Sequence, residues 1–118
     1  IWESWGAVAP DGTVGAMSLN HYAFGAVDDW MFRRLAGIDP AGPGFARVRV
    51  APLVDGPLTW AEGTRMTPWG EVHVRWDRAD GQVRYAVNLP AGVTGELVGP
   101  EGTVALAAGR TEVVQRLA

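Results

Sequence analysis

The sequence predicts a mainly β protein, an antiparallel β-sandwich preceded by a loop and one helix. Three observations predict it. Val48 and Val50 alternate with Arg47 and Arg49. Val72, Val74 and Trp76 alternate with Glu71, His73 and Arg75, and Val83, Tyr85, Val87 and Leu89 with Gln82, Arg84, Ala86 and Asn88. Period-two alternation of this kind marks strands with one buried face. Turn-bounded short strands at such spacing point to a sandwich. Residues 21–36 alone carry a helical period, and Gly37 follows them.

In chain order, residues 1–19 read as loop. Pro10, Asp11 and Gly12 signal a turn, and Gly6 and Gly15 interrupt any period. The helix spans residues 21–36, with Ser18 or Asn20 as cap and Gly37 at the position that favours left-handed backbone. Arg33 and Arg34 sit in its last turns, where cations suit the helix dipole. At 100° per residue, Ala23, Phe24, Val27, Trp30, Met31 and Leu35 fall on one apolar arc. His21, Gly25, Asp28 and Phe32 form a second stripe. A phenylalanine opposite the core face implies a helix packed on two sides, as in a helical barrel or bundle. Residues 39–44, rich in Gly and Pro, read as a linker, and residues 45–118 hold the strands. Asp80 and Gly81 signal a hairpin, and residues 58–65, 96–98, 104–106 and 112–114 supply weaker strands.

The 118 residues suit one domain or a small domain with an appendage. A net charge of −3 argues against binding nucleic acid through phosphate neutralisation. No apolar run approaches the ~20 residues of a bilayer span, so no membrane partner is expected. The absence of cysteine excludes disulfides and thiolate chemistry. All ten basic residues are arginine, which a GC-rich coding sequence explains. Six tryptophans are a large aromatic load, and most of them are expected in the core. Residues 1–38 fall below the ~40 residues at which isolated chains usually fold unaided. With Ile1 in first place, this suggests a piece of something larger. The helix is then expected to lie against the sandwich, a partner chain or a missing domain.

Glu3, flanked by Trp2 and Trp5, is the most suggestive carboxylate. Apolar walls disfavour a charged carboxyl by desolvation, which suits general acid or base work. His21 lies near a helix N-terminus, where an imidazole that donates or accepts hydrogen bonds is favoured. Its alternative is a bond to a nearby loop carbonyl. His73, on the polar face of a strand, is most simply solvated. No HExxH, paired histidines or clustered acids suggest a metal, and no cofactor is expected. Gly42, Pro43 and Gly44 lack phosphate-loop spacing, and no serine has a nucleophile-elbow context.

The run from Ser18 to Val27, reading S-L-N-H-Y-A-F-G-A-V, is followed by Trp30 and by Ala36, Gly37 and Ile38. It closely resembles the C-terminal end of bacterial α-L-rhamnosidases of glycoside hydrolase family 78. Trp2, Glu3, Ser4 and Trp5 resemble that family's W-E-x-W segment. Leu58, Thr59, Trp60 and Ala61 resemble its LTWA stretch, and Thr67, Pro68, Trp69 and Gly70 its TPYG stretch. Gly6 stands where many relatives have Asp, and Asp28 with Asp29 replaces the usual Gly-acid pair.

The resemblance implies an inverting hydrolase of terminal α-L-rhamnosides, built as an (α/α)6 barrel followed by a β-sandwich. Residues 1–38 would be the last loop and helix of that barrel, residues 39–44 a linker and residues 45–118 the sandwich. Glu3 matches the glutamate taken as general base, and His21 the histidine that hydrogen-bonds the rhamnose ring. Trp2 and Trp5 would be pocket walls. The general acid would lie in the missing N-terminal barrel, so this chain alone is expected to be inactive. A second reading is a non-catalytic carbohydrate-binding module in which Trp60, Trp69 or Trp76 stacks on sugar faces. Trp76 alternates with valines and suits the core, and Trp69 is the better exposed candidate. A third reading has the sandwich brace the barrel, which predicts an exposed apolar patch and self-association of the isolated chain.

Overall fold

The computed structural model describes the backbone of residues 1–118 and every side chain except that of Phe24. It forms two compact units, Ile1–Trp30 and Met31–Ala118.

The first unit is mostly loop, as its lack of period predicts. Two backbone bonds tie its ends: Glu3 N–H donates to Ser18 O (2.8 Å) and His21 N–H to Ile1 O (2.9 Å). The Pro10 turn forms as expected. Ala9 N–H donates to Thr13 O and Gly12 N–H to Ala9 O, while Asp11 Oδ1 accepts the Thr13 N–H. Gly12 supplies the positive φ of 87°, and Val8 bridges Val14.

The predicted helix is present but not uniform. A 3₁₀ segment, Tyr22–Ala26, leads into α1, Val27–Trp30, and a π-helical segment, Met31–Ala36, opens the second unit. The expected cap by Ser18 or Asn20 does not form. His21 is the N-cap and makes no side-chain cap bond, while Ser18 Oγ accepts the Asn20 N–H inside its own turn. Val27, Trp30 and Met31, on the expected apolar arc, remain exposed. The arc also includes the Phe24 side chain, which lies outside the described residues.

In the second unit the strands are β1 (Ile38–Pro40), β2 (Arg47–Val50), β3 (Trp60–Thr67), β4 (Gly70–Ala79), β5 (Gln82–Leu89), β6 (Thr94–Gly99), β7 (Gly102–Leu106) and β8 (Gly109–Arg116). They form two four-stranded sheets, ordered β1-β2-β6-β7 and β3-β4-β5-β8. Asp39 and Pro40, expected in a linker, instead pair with Arg49 and Val48 as part of β1. Gly37 (φ 81°) turns the chain straight from the helix end into this strand.

Pairing is antiparallel except between β2 and β6, which run parallel. Periodicity reports which face a residue takes and not the direction of its neighbour, so the sequence reading missed this pair. Gly95 lies opposite Val48 in that register, and a Cβ there would collide with the Val48 carbonyl. The β4–β5 hairpin turns at Asp80 and Gly81 with φ of 52° and 71°, the doubly left-handed turn that suits strand twist.

The core forms between the two sheets. Ile38, Val48, Val50 and Leu97 come from one sheet and Val72, Val74, Trp76, Val83, Tyr85, Val87 and Leu89 from the other. The expectation that most tryptophans are core fails, because only Trp76 among them stands on an inward position of a central strand. Trp2, Trp5, Trp30, Trp60 and Trp69 are exposed. Trp76 also fixes the π-helical end, donating Nε1–H to Leu35 O (2.7 Å). Leu53 N–H donates to Arg34 O (2.9 Å). The Arg65 guanidinium lies 5.0 Å from the Phe45 ring centre and 5.9 Å from that of Phe32, a cation–π arrangement. Phe32, the ring opposite the predicted core face of the helix, is thus held by the sandwich.

Candidate functional site

The site begins with the loop that precedes the helix. The Glu3–Ser18 and Ile1–His21 backbone bonds lay the two strands of this loop side by side. That pairing brings Glu3 and His21, eighteen positions apart, to 3.9 Å between Oε2 and Nδ1. The same Glu3 oxygen accepts the Ser18 N–H at 2.8 Å. A backbone donor therefore fixes the carboxylate. The His21 ring stacks on Tyr22, with centroids 5.8 Å apart and planes inclined by 27°.

Ile1, Trp2, Glu3, Ser4 and Trp5 line an open cleft of about 600 Å³. The Ser4 hydroxyl accepts the Gly6 N–H (3.0 Å) and rounds the turn beneath it. Both expected wall residues stand at this cleft, but Trp5 is 97% exposed and Trp2 46%. In this chain Glu3 is therefore a partly solvated carboxylate at a rim, and the expected desolvating walls do not close over it. A carboxylate oriented by a backbone donor and set beside an imidazole is equipped to accept a proton and to hold hydroxyl groups.

Sequence reasoning named Glu3, His21, Trp2 and Trp5, and the structure gathers all four in one unit. It missed Ser18, whose N–H holds the Glu3 carboxylate, and Tyr22, whose ring supports His21. Ser18 and Tyr22 belong to the same S-L-N-H-Y run as His21, and that run was the signal available. Of the other aromatic candidates, Trp60 and Trp69 are exposed and Trp76 is fully buried, which removes Trp76 as a stacking platform. Trp69 rests on Gly92, where a Cβ would lie 3.4 Å from the ring. His73, expected to be simply solvated, instead meets Glu62 Oε1 at 2.7 Å through Nε2. Arg75 binds the second Glu62 oxygen at 3.0 Å. These two bonds hold the Glu62 carboxyl below its ordinary range.

Residues 37–113 match the family described as the bacterial alpha-L-rhamnosidase C-terminal domain. An alpha-L-rhamnosidase of Formosa agariphila is 37% identical over 100 residues, covering 82% of this chain and 11% of that protein. One from Streptomyces avermitilis is 35% identical over 100 residues, covering 82% of this chain and 10% of its own. The crystal structure of a Streptomyces avermitilis alpha-L-rhamnosidase complexed with L-rhamnose superposes on 98% of this chain and 14% of its own. Its TM-score is 0.83 and its identity 26%. The fold is that of the C-terminal part of alpha-L-rhamnosidases. The chain belongs to the bacterial alpha-L-rhamnosidase C-terminal domain family, and spans about a tenth of the length of these curated relatives.

Proposed function

We propose that this chain works as the C-terminal portion of an inverting α-L-rhamnosidase and supplies one edge of its sugar pocket. Glu3 is the general base that deprotonates the attacking water. His21 hydrogen-bonds the rhamnose ring, and Trp2 and Trp5 are pocket walls. The observation that carries this reading is the 3.9 Å approach of the Glu3 carboxylate to His21, beside a cleft that both tryptophans line. An inverting hydrolase needs a second carboxyl about 6.5–9.5 Å away to protonate the leaving oxygen. That acid belongs to the barrel of the intact enzyme, to which residues 1–38 contribute the last loop and helix. The sandwich, whose first strand is β1, braces that barrel.

The water attacks the anomeric carbon while its proton passes to Glu3. The second carboxyl gives its proton to the departing glycosidic oxygen, and rhamnose leaves with inverted configuration. In the intact enzyme, Glu3→Gln should lower kcat by about 10²–10⁴-fold, the usual share of a general base, with little change in KM. Near-normal turnover would refute the assignment. His21→Ala should raise KM through the lost sugar contact. The isolated chain should release no rhamnose from an aryl rhamnoside, and measurable release would overturn the division of labour.

A further inference from the structure

The outer face of the β3-β4-β5-β8 sheet carries a second concavity. Its rows follow from the register: Glu62, Arg75, Ala86 and Glu112 lie across the sheet, beside Trp60, Asp77, Arg84 and Val114. Ala86 is the one small side chain in its row, and around it opens a cleft of about 270 Å³. Arg75, Asp77, Arg84 and Arg110 are among the residues that line it.

Two of these guanidiniums are already committed. Arg75 binds Glu62 (3.0 Å) and lies 5.1 Å from the Trp60 ring centre. Arg110 binds Glu112 (2.6 Å). Asp77 and Arg84 are directly opposite in register, yet among the described residues neither side chain has a hydrogen bond or ion pair. A carboxylate acceptor and a guanidinium fork thus stand side by side, unengaged, over a notch. Three guanidiniums (Arg75, Arg84, Arg110) face three carboxylates (Glu62, Asp77, Glu112), so the surroundings are neutral overall.

We infer that this cleft is a binding subsite for one uncharged pyranose ring, with Asp77 accepting from and Arg84 donating to neighbouring hydroxyls. Charge complementarity selects this occupant. A neutral frame repels neither sign but rewards neither, whereas a diol satisfies an acceptor and a donor together. The size agrees: the volume lies just under the about 300–1,000 Å³ of sites that enclose drug-sized ligands, so it suits a single ring. This subsite gives the carbohydrate-binding reading of the sandwich a location distinct from the Glu3 cleft and from the Trp69 platform.

The test is a heteronuclear NMR titration of the 118-residue chain with methyl α-L-rhamnopyranoside and, separately, methyl β-D-glucopyranoside. Saturable shifts at the Asp77, Arg84 and Ala86 amides with either sugar are expected. Asp77→Asn and Arg84→Gln, changes on the outer face that leave the core intact, should each weaken binding by about tenfold. Shifts that vanish in Trp69→Ala, or that centre on residues 1–5, would place binding elsewhere and overturn the subsite. So would the absence of saturable shifts in a chain whose dispersed spectrum shows it folded. Glu3→Gln should leave these shifts unchanged, which separates this inference from the role assigned to Glu3.

Discussion

At the scale of single residues, Tyr85 and Glu62 give opposite responses to pH. Tyr85 is buried and its hydroxyl has no partner among the described residues. Burial pushes its ionisation from 10.0 up to about 12, because a phenolate in the core loses its hydration. The raised value means that the folded state keeps a proton the unfolded state has lost. Its contribution to stability is full below pH 10 and falls as pH rises towards 12. Ultraviolet phenolate absorbance should show this late step in the native protein and not in Tyr85→Phe. The same substitution removes an unsatisfied buried hydroxyl, so thermal unfolding should show it neutral or stabilised by up to about 1 kcal/mol. Glu62 behaves in reverse. Its lowered carboxyl, held by His73 and Arg75, adds stability above its ordinary value and loses it as pH falls through the lower one. Glu62→Gln should lower Tm slightly at neutral pH, and the difference should close in acid. As an exposed network it should also shrink in high salt. The sequence had placed His73 on the polar face correctly. The Thr64 and His73 register that puts Glu62 within its reach is a cross-strand fact, invisible along the chain.

At the scale of elements, the π-helical end depends on one missing methyl group. A Cβ on Gly63 would stand 2.6 Å from the Ala36 Cβ, well inside van der Waals contact. Gly63→Ala should therefore destabilise the protein by about 1–3 kcal/mol, an overpacking cost, measurable as a lower denaturation midpoint. A substitution without effect would mean that Met31–Ala36 does not rest on β3 as described. Periodicity located β2, β4 and β5 because each buries alternate residues along its length. It located the helix but not its internal changes of pitch, which arise where Leu35, Ala36 and Arg34 are held by Trp76, Gly63 and Leu53. Propensity carries no record of such tertiary partners.

At the scale of the molecule, the exposed apolar side chains are concentrated before Leu35. Ile1, Trp2, Trp5, Val14, Met17, Leu19, Tyr22, Val27, Trp30 and Met31 all face solvent. Apolar surface on this scale normally has a partner, so light scattering of the isolated chain should show self-association that grows with concentration. A strict monomer at high concentration would argue against a braced interface. The alternation of valines and the Gly and Pro turns determined the sandwich from sequence alone, since burying one face of a strand demands a two-residue period wherever the strand lies. The S-L-N-H-Y and W-E-x-W runs likewise carried the family. What only the tertiary structure decided is which residues meet: Glu3 with His21 and Ser18, β2 alongside β6, Asp77 beside Arg84 over Ala86. Each of those meetings joins segments far apart in the chain, or depends on a register that local pattern leaves open, and so becomes definite only once the backbone has closed its loops and its sheets.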